Sequence, residues 1–268
     1  RAHVYREHAP SEVITMPDEA LFCGTNTMIA SVLSLDAKPV GDGRVGPVAR
    51  RLARSLSEAI RAELDAPVGV DAINDAFRTA ARGPLGRVLA VSDALRERVV
   101  AAGYPAERVR AVYYGYDGRL FRRPEGVGEG NPDRVVMHGS FDHHHLGAIA
   151  REAVLRVARA RPGVTFRFVG PRTPALQGFL AALRRACPGV RLEDVGFVPY
   201  DRIPTLLAES GLGVTPYEPS TGTHCAFVAK TVEYLALGLP VVCTPLENAL
   251  RYYRNLDGIR FSGADGGS

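Results

Sequence analysis

From about residue 87 onward, short β-branched runs alternate with stretches whose apolar positions recur at helical spacing. Six runs read as strands: RVLAVS (87–92), RVRAVYYG (108–115), RVVMHG (134–139), TFRFVG (165–170), LGVTPY (212–217) and PVVCTP (240–245). Strands separated by helices rather than by tight turns predict a parallel sheet covered by helices. In LGAIAREAVLRVARARPG (146–163), residues Leu146, Ile149, Ala150, Ala153, Val154, Val157 and Ala158 share one face, while Arg151, Arg156 and Arg159 turn outward. This is the pattern of one crossover helix. LEDVGFV adds a short strand, and YDRIPTLLAES adds a helix with Ile203, Leu206 and Leu207 toward the core. The Gly-, Pro- and charge-rich stretch 117–134 separates two strand-helix series and reads as a linker.

The pattern before residue 87 is poorer. EVITM reads as a strand, and 18–45 and 65–80 show no firm period. In the segment 46–65, Val48, Leu52, Leu56, Ile60 and Leu64 recur every four residues, with Arg50, Arg51, Arg54 and Arg61 elsewhere around the helix. Two readings stay open: a helix packed on a domain core, or a basic amphipathic helix making peripheral membrane contact.

Composition narrows the class. With 268 residues and 46% apolar content, the chain can bury one large or two modest cores. No apolar run approaches the roughly 20 residues of a spanning helix. The start RAHVYREHAP lacks the apolar core of a signal peptide. Cys23, Cys187, Cys225 and Cys243 are scattered, with no CxxC spacing. A reduced cytoplasmic setting follows, at the inner face of the membrane if 46–65 binds lipid. The net charge of +4 comes from arginines interleaved with acids, which suits anionic ligands and does not supply the basic stripe of a nucleic-acid binder.

In a doubly wound sheet, ligands collect at the carboxyl ends of the strands. The first such loop is MHGSFDHHHLG: Gly139 permits close approach, Ser140 offers a hydroxyl, and the following helix start presents N–H groups to a phosphate. The GxGxxG fingerprint is absent. His143, His144 and His145 are adjacent and cannot converge on one ion, so no metal site is assigned; His144 is the imidazole taken to contact phosphate or sugar. In VGPRTP, Gly170 and Arg172 could meet an anion, although an arginine after a turn is commonly just solvated. Peptide groups around Gly196 and Val198 could bond a base edge. LGVTPY, ending at Tyr217, leads through a polar loop to a helix carrying Lys230 and Glu233 three residues apart, on neighbouring places of one surface. A carboxylate can accept both hydroxyls of a ribose and a lysine can meet phosphate. The alternative is an exposed intrahelical pair worth a few tenths of a kcal/mol.

Taken in order from Arg87 to Pro245, VLAVSDALRERVVAAGYPAERVRAVYYGYDGRLFRRP, RVVMHGSFDHHHL, FRFVGP, VGFVPYDRIPTLLAESGLGVTPY and KTVEYLALGLPVV resemble nucleotide-sugar-dependent glycosyltransferases of the GT-B fold, of the bacterial cell-surface polysaccharide type. The resemblance implies an α/β chain of two Rossmann-like domains. Residues 1–123 form an acceptor-side domain, expected to be partial because 1–86 carry too few strands, and 124–268 form the donor domain. It implies a nucleoside-diphosphate sugar donor of UDP or GDP type, no permanently bound cofactor, and a hydroxyl acceptor that is polysaccharide, lipid-linked or small. By position Glu233 matches the ribose-binding glutamate, Lys230 the lysine that meets the diphosphate, 139–145 the phosphate-facing loop, and Gly196 to Pro199 the loop near the base. Lys230 and His144 are the candidates for stabilising the leaving diphosphate. The family leans to retention, and the loop has no Asp-x-Asp, so metal independence is expected. Two features depart from the pattern: histidines replace an Arg and a Lys of the first loop, and Cys225 occupies the place of the first glutamate of Glu-x7-Glu. The rival expectations are a non-catalytic nucleotide-sugar or glycan-binding partner subunit and a sugar-nucleotide epimerase of similar architecture.

Overall fold

A computed structural model describes residues 87–262 apart from 102, 143 and 144, together with short segments between 20 and 50. The chain divides into two compact units, Arg1–Tyr114 with Cys225–Phe227, and Gly115–His224 with Val228–Ser268.

In the first unit, β1 (Ala20–Gly24) pairs antiparallel with β2 (Met28–Val32), and β3 (Ser34–Leu35) with β4 (Lys38–Pro39). β5 (Arg87–Ala90) joins β1 and β6 (Val109–Ala111) in parallel. Helix α1 (Asp93–Ala101) begins where the buried Ser92 hydroxyl accepts from the Leu95 N–H and donates to the Cys225 carbonyl. That cap also explains why the strand expected over 108–115 is shorter. β5 ends at Ala90, opposite Ala111, leaving Val112, Tyr113 and Tyr114 exposed. EVITM and nearly all of 46–65 lie outside the described residues.

The second unit is one parallel sheet in the order β12-β11-β10-β7-β8-β9. Its strands are β7 (Asn131–His138), β8 (Thr165–Val169), β9 (Arg191–Gly196), β10 (Ser210–Thr215), β11 (Val241–Cys243) and β12 (Ile259–Phe261). The helices between them are α2 (Ala148–Ala160), α3 (Pro174–Ala186), α4 (Ile203–Ala208), α5 (Thr221–Cys225), α6 (Ala229–Ala236) and α7 (Glu247–Tyr253). Because the order reverses at β7, right-handed crossovers put α2 and α3 on one face and the helices of the returning connections on the other. A hydrophobic core lies under α2 and α3, where Phe168 meets Phe141 and Phe179 edge-on.

Three differences from the sequence pattern have physical causes. The apolar face of α2 is not wholly packed: Ala150, Val154, Leu155 and Ala158 are buried, yet Ala150 and Val154, with Ile149, Ala153 and Val157, line a groove of about 340 Å³ beside Leu212, Val214 and Val242. The supposed linker is packed, with Phe121 buried against Tyr200 and the Arg123 guanidinium donating to the carbonyls of Gly128, Ala208 and Leu237. Arg167, in the middle of an apolar strand, is buried between Glu193 and Glu209.

Candidate functional site

Three neighbouring strands run out into a glycine: Gly139 follows β7, Gly170 follows β8, and Gly196 closes β9. The Gly139 N–H donates to the Val169 carbonyl and the Gly170 N–H to the Gly196 carbonyl, lacing the ends of β7, β8 and β9 together. There is no room for a side chain: a Cβ on Gly170 would lie 2.0 Å from the Gly139 oxygen, and one on Gly139 would lie 2.1 Å from Cε of Lys230. The lysine stem therefore runs directly over the end of the central strand.

Helix α6 feeds two side-chain clusters into this edge. In the first, the Lys230 ammonium donates to the Tyr217 hydroxyl at 2.8 Å and lies 3.3 Å from His145 Nε2. The same hydroxyl is 2.8 Å from His145 Nε2, and His145 Nδ1 is 2.6 Å from an Asp142 carboxylate oxygen. Lysine has only donors, so Tyr217 accepts from it and gives its own hydrogen to a neutral His145, whose Nδ1–H then faces Asp142. This joins the Lys230 ammonium to the His145 imidazole through a shared hydroxyl.

In the second cluster, Glu233 places Oε2 at 2.7 Å from His138 Nε2 and Oε1 at 2.8 Å from the Tyr200 hydroxyl. The Tyr234 hydroxyl is 2.9 Å from His138 Nδ1 and accepts the His138 backbone N–H. Both His138 and Glu233 are buried. Burial lowers the His138 pKa below the ordinary 6.5, against the hydrogen bond and charge of Glu233 and with the charge of Lys230. Below that value the unfolded chain takes a proton that folded His138 refuses, so this contribution to stability is complete above about pH 6.5 and falls as the pH drops toward the depressed folded value. His138→Gln should flatten that part of the stability profile, measured by urea unfolding at a series of pH values. A profile unchanged by the substitution would contradict the assignment.

Of the residues singled out in the sequence, Gly139, Gly170, Gly196, Tyr217, Lys230 and Glu233 gather at this edge. Ser140 follows Gly139 and is half-buried, as is Val198, beside the exposed Phe197. Arg172 is elsewhere engaged: its guanidinium is held by the Asp194 carboxylate and carbonyl and backs the Gly196 turn. His144 lies outside the described residues. One N–H of the helix start expected to meet phosphate is taken by protein: the Ile149 N–H at the beginning of α2 donates to Glu218 at 2.6 Å, a carboxylate in the position the helix dipole favours. Sequence reasoning misses His138, Asp142, Tyr200 and Tyr234, and it finds His145 only as one of a triplet. The available signal for His138 is a polar residue at an inward strand position, two after the buried Val136. Among the described residues no group of three or more His, Cys, Asp or Glu could hold a metal ion, and no helix is long and apolar enough to cross a membrane.

The six-stranded parallel sheet, with its reversal at β7 and polar groups gathered at the carboxyl edge, defines a Rossmann-like α/β unit, the class whose ligands bind outside the strand ends. The sequence model of the family described as "Glycosyl transferases group 1" matches residues 132–264, and this part of the chain belongs to that family. Its fold is similar to that of Anabaena HepE solved in complex with UDP-glucose (22% identity over 71% of this chain and 54% of that one, TM-score 0.56). It is also similar to sucrose-phosphate synthase of Thermosynechococcus elongatus (15% identity, 74% and 49%, TM-score 0.56). A third similar structure is a mutant of S. aureus TarM (12% identity, 75% and 38%, TM-score 0.54). At these identities the likenesses show the fold, the α/β arrangement of the GT-B class. The chain spans about half the length of the HepE structure it matches. No curated protein sequence matches it.

Proposed function

We propose that this chain transfers a sugar from a nucleoside-diphosphate sugar, of UDP or GDP type, to a hydroxyl acceptor, with retention and without a metal. The observation that carries the reading is the double use of α6. From one helix, Lys230 reaches over Gly139 into a cluster with His145, and Glu233 presents a buried carboxylate to the same edge. In this reading Glu233 accepts the ribose hydroxyls and the turn at Gly196 and Val198 meets the base. Lys230 and His145 face the diphosphate. His145, whose ring lies 3.3 Å from the lysine, shares the part given to His144. HepE, of the same fold, is a protein solved with UDP-glucose, which supports a UDP-sugar as the first donor to try.

The chemistry asked of the protein follows from charge. Cleavage of the anomeric bond leaves an added negative charge on the diphosphate, and a preorganised cation with adjacent donors stabilises that charge as it develops. Lys230 supplies the cation. The Tyr217–His145–Asp142 chain supplies donors that can be reoriented when phosphate replaces the lysine as their neighbour.

Calorimetric titration with UDP, GDP, ADP and TDP, first without metal and then with magnesium, tests the proposal. Metal-free binding of one nucleotide in preference to the rest is the expected result; failure to bind any would overturn it, and binding without sugar transfer would favour the partner-subunit reading. Glu233→Gln should weaken the preferred nucleotide by about ten- to a hundredfold, the value of hydrogen bonds to a charged acceptor. Unchanged affinity would remove Glu233 from the ribose.

A further inference from the structure

We propose that His138, assisted by Tyr200, is a positioning residue that sets the Glu233 carboxylate to recognise a vicinal diol, and so makes the site select a ribonucleotide over its 2′-deoxy counterpart. The inference rests on the reading that Glu233 meets the ribose.

A carboxylate offers about four acceptor positions, two on each oxygen. The protein fills one on each: His138 approaches Oε2 and Tyr200 approaches Oε1. What remains is one acceptor position per oxygen, a pair that two neighbouring hydroxyls can satisfy together. A sugar with a single hydroxyl there leaves a buried acceptor unmet, and sites built to bond a hydroxyl reject analogues lacking it for this reason.

His138 can play this part because its hydrogen is placed by the backbone. The His138 main-chain N–H donates to the Tyr234 hydroxyl at 3.2 Å, so one of that oxygen's acceptor positions is taken. The Tyr234 hydrogen points to His138 Nδ1 at 2.9 Å, closer than the Val136 carbonyl at 3.4 Å. Nδ1 is thereby the acceptor and Nε2 the donor, aimed at Glu233. Tyr234 is itself immobile, fully buried against Gly213, where a Cβ would lie 2.7 Å from its ring. On the other oxygen, Tyr200 is steadied by its ring contact with Phe121. Two donors from two elements, the buried His138 and the more exposed Tyr200, each hold one oxygen of the carboxylate before any ligand arrives.

The test uses the full chain and four probes, UDP, GDP and their 2′-deoxy counterparts, titrated against the unsubstituted protein, His138→Gln, His138→Leu, Tyr200→Phe and Glu233→Gln. The ribose preference is expected to be about tenfold or more in the unsubstituted protein. His138→Gln should keep it, since the amide N–H can still donate. In His138→Leu and in Glu233→Gln it should fall to about twofold, with the deoxy probes binding nearly as before. If Glu233→Gln removes the preference and His138→Leu leaves it intact, the inference is wrong while the ribose reading survives. If Glu233→Gln leaves it intact, the ribose reading itself fails. Absence of any ribose preference in the unsubstituted protein overturns the inference. Should His138→Leu lose all four probes together, it has lost its fold, and Tyr200→Phe then decides: an undiminished preference in that variant counts against the proposal.

Discussion

Lys230→Met is expected to lower sugar transfer by about 10²–10³-fold, the loss typical of removing one preorganised group from a developing negative charge. Methionine retains most of the stem that covers Gly139, so the packing at the end of β7 survives and the ammonium alone is lost. The effect should fall mainly on kcat, because the charge that Lys230 meets grows as the sugar bond breaks; nucleotide affinity should fall less. His145 sits 3.3 Å from the lost group and shares Tyr217 with it, so a hydrogen-bonding side chain remains beside the vacated position. Adding His145→Asn to Lys230→Met should lower the residual rate further, because it removes the neighbouring donor as well as the cation. Initial rates of nucleotide release in the presence of acceptor measure both. A kcat unchanged by Lys230→Met would remove this lysine from the chemistry.

Much of the second unit was legible because β-branched runs bounded by glycine are unambiguous in a parallel sheet. Gly139, Gly170 and Gly196 could be picked out for the same reason: each lies at a strand's end. Lys230 and Glu233 were legible through their spacing on one helix. The rest of the site depends on partners distant in sequence. Nothing in HHH distinguishes the histidine that meets Tyr217, 72 residues away, from its two neighbours. His138 and Tyr234 read separately as a polar residue at a strand end and a core aromatic; only the packing of α6 across β7 makes them a pair. At the start of α2, Glu218 reaches the Ile149 N–H from the loop after β10, a partner 69 residues away that the sequence does not announce. Arg172 carried the right charge, but Asp194 on the adjacent strand holds it.

Arg167 shows the same limit in its most consequential form, because TFRFVG reads only as a strand, and nothing in it signals that the arginine side chain is just 5% exposed. Its Nε donates to Glu193 at 2.9 Å, and one Nη donates to Glu209 at 2.7 Å and to the Leu206 carbonyl at 2.9 Å. The group ties β8 to β9 and to the end of α4. Arg167→Met is expected to destabilise the chain by about 3 kcal/mol, at the lower end for a broken buried pair. The lower end applies because the two glutamates are 37% and 39% exposed, so their freed carboxylates can reach water, and because Arg134 remains near both. Glu193→Gln or Glu209→Gln alone should cost less, since each leaves the guanidinium with its other carboxylate. The contacts run to the chain entering β10, at the opposite end of the sheet from the nucleotide edge. Urea unfolding should therefore shift while the nucleotide dissociation constant, measured where the variant remains folded, does not. A large change in affinity with no loss of stability would mean that Arg167 serves the site rather than the sheet.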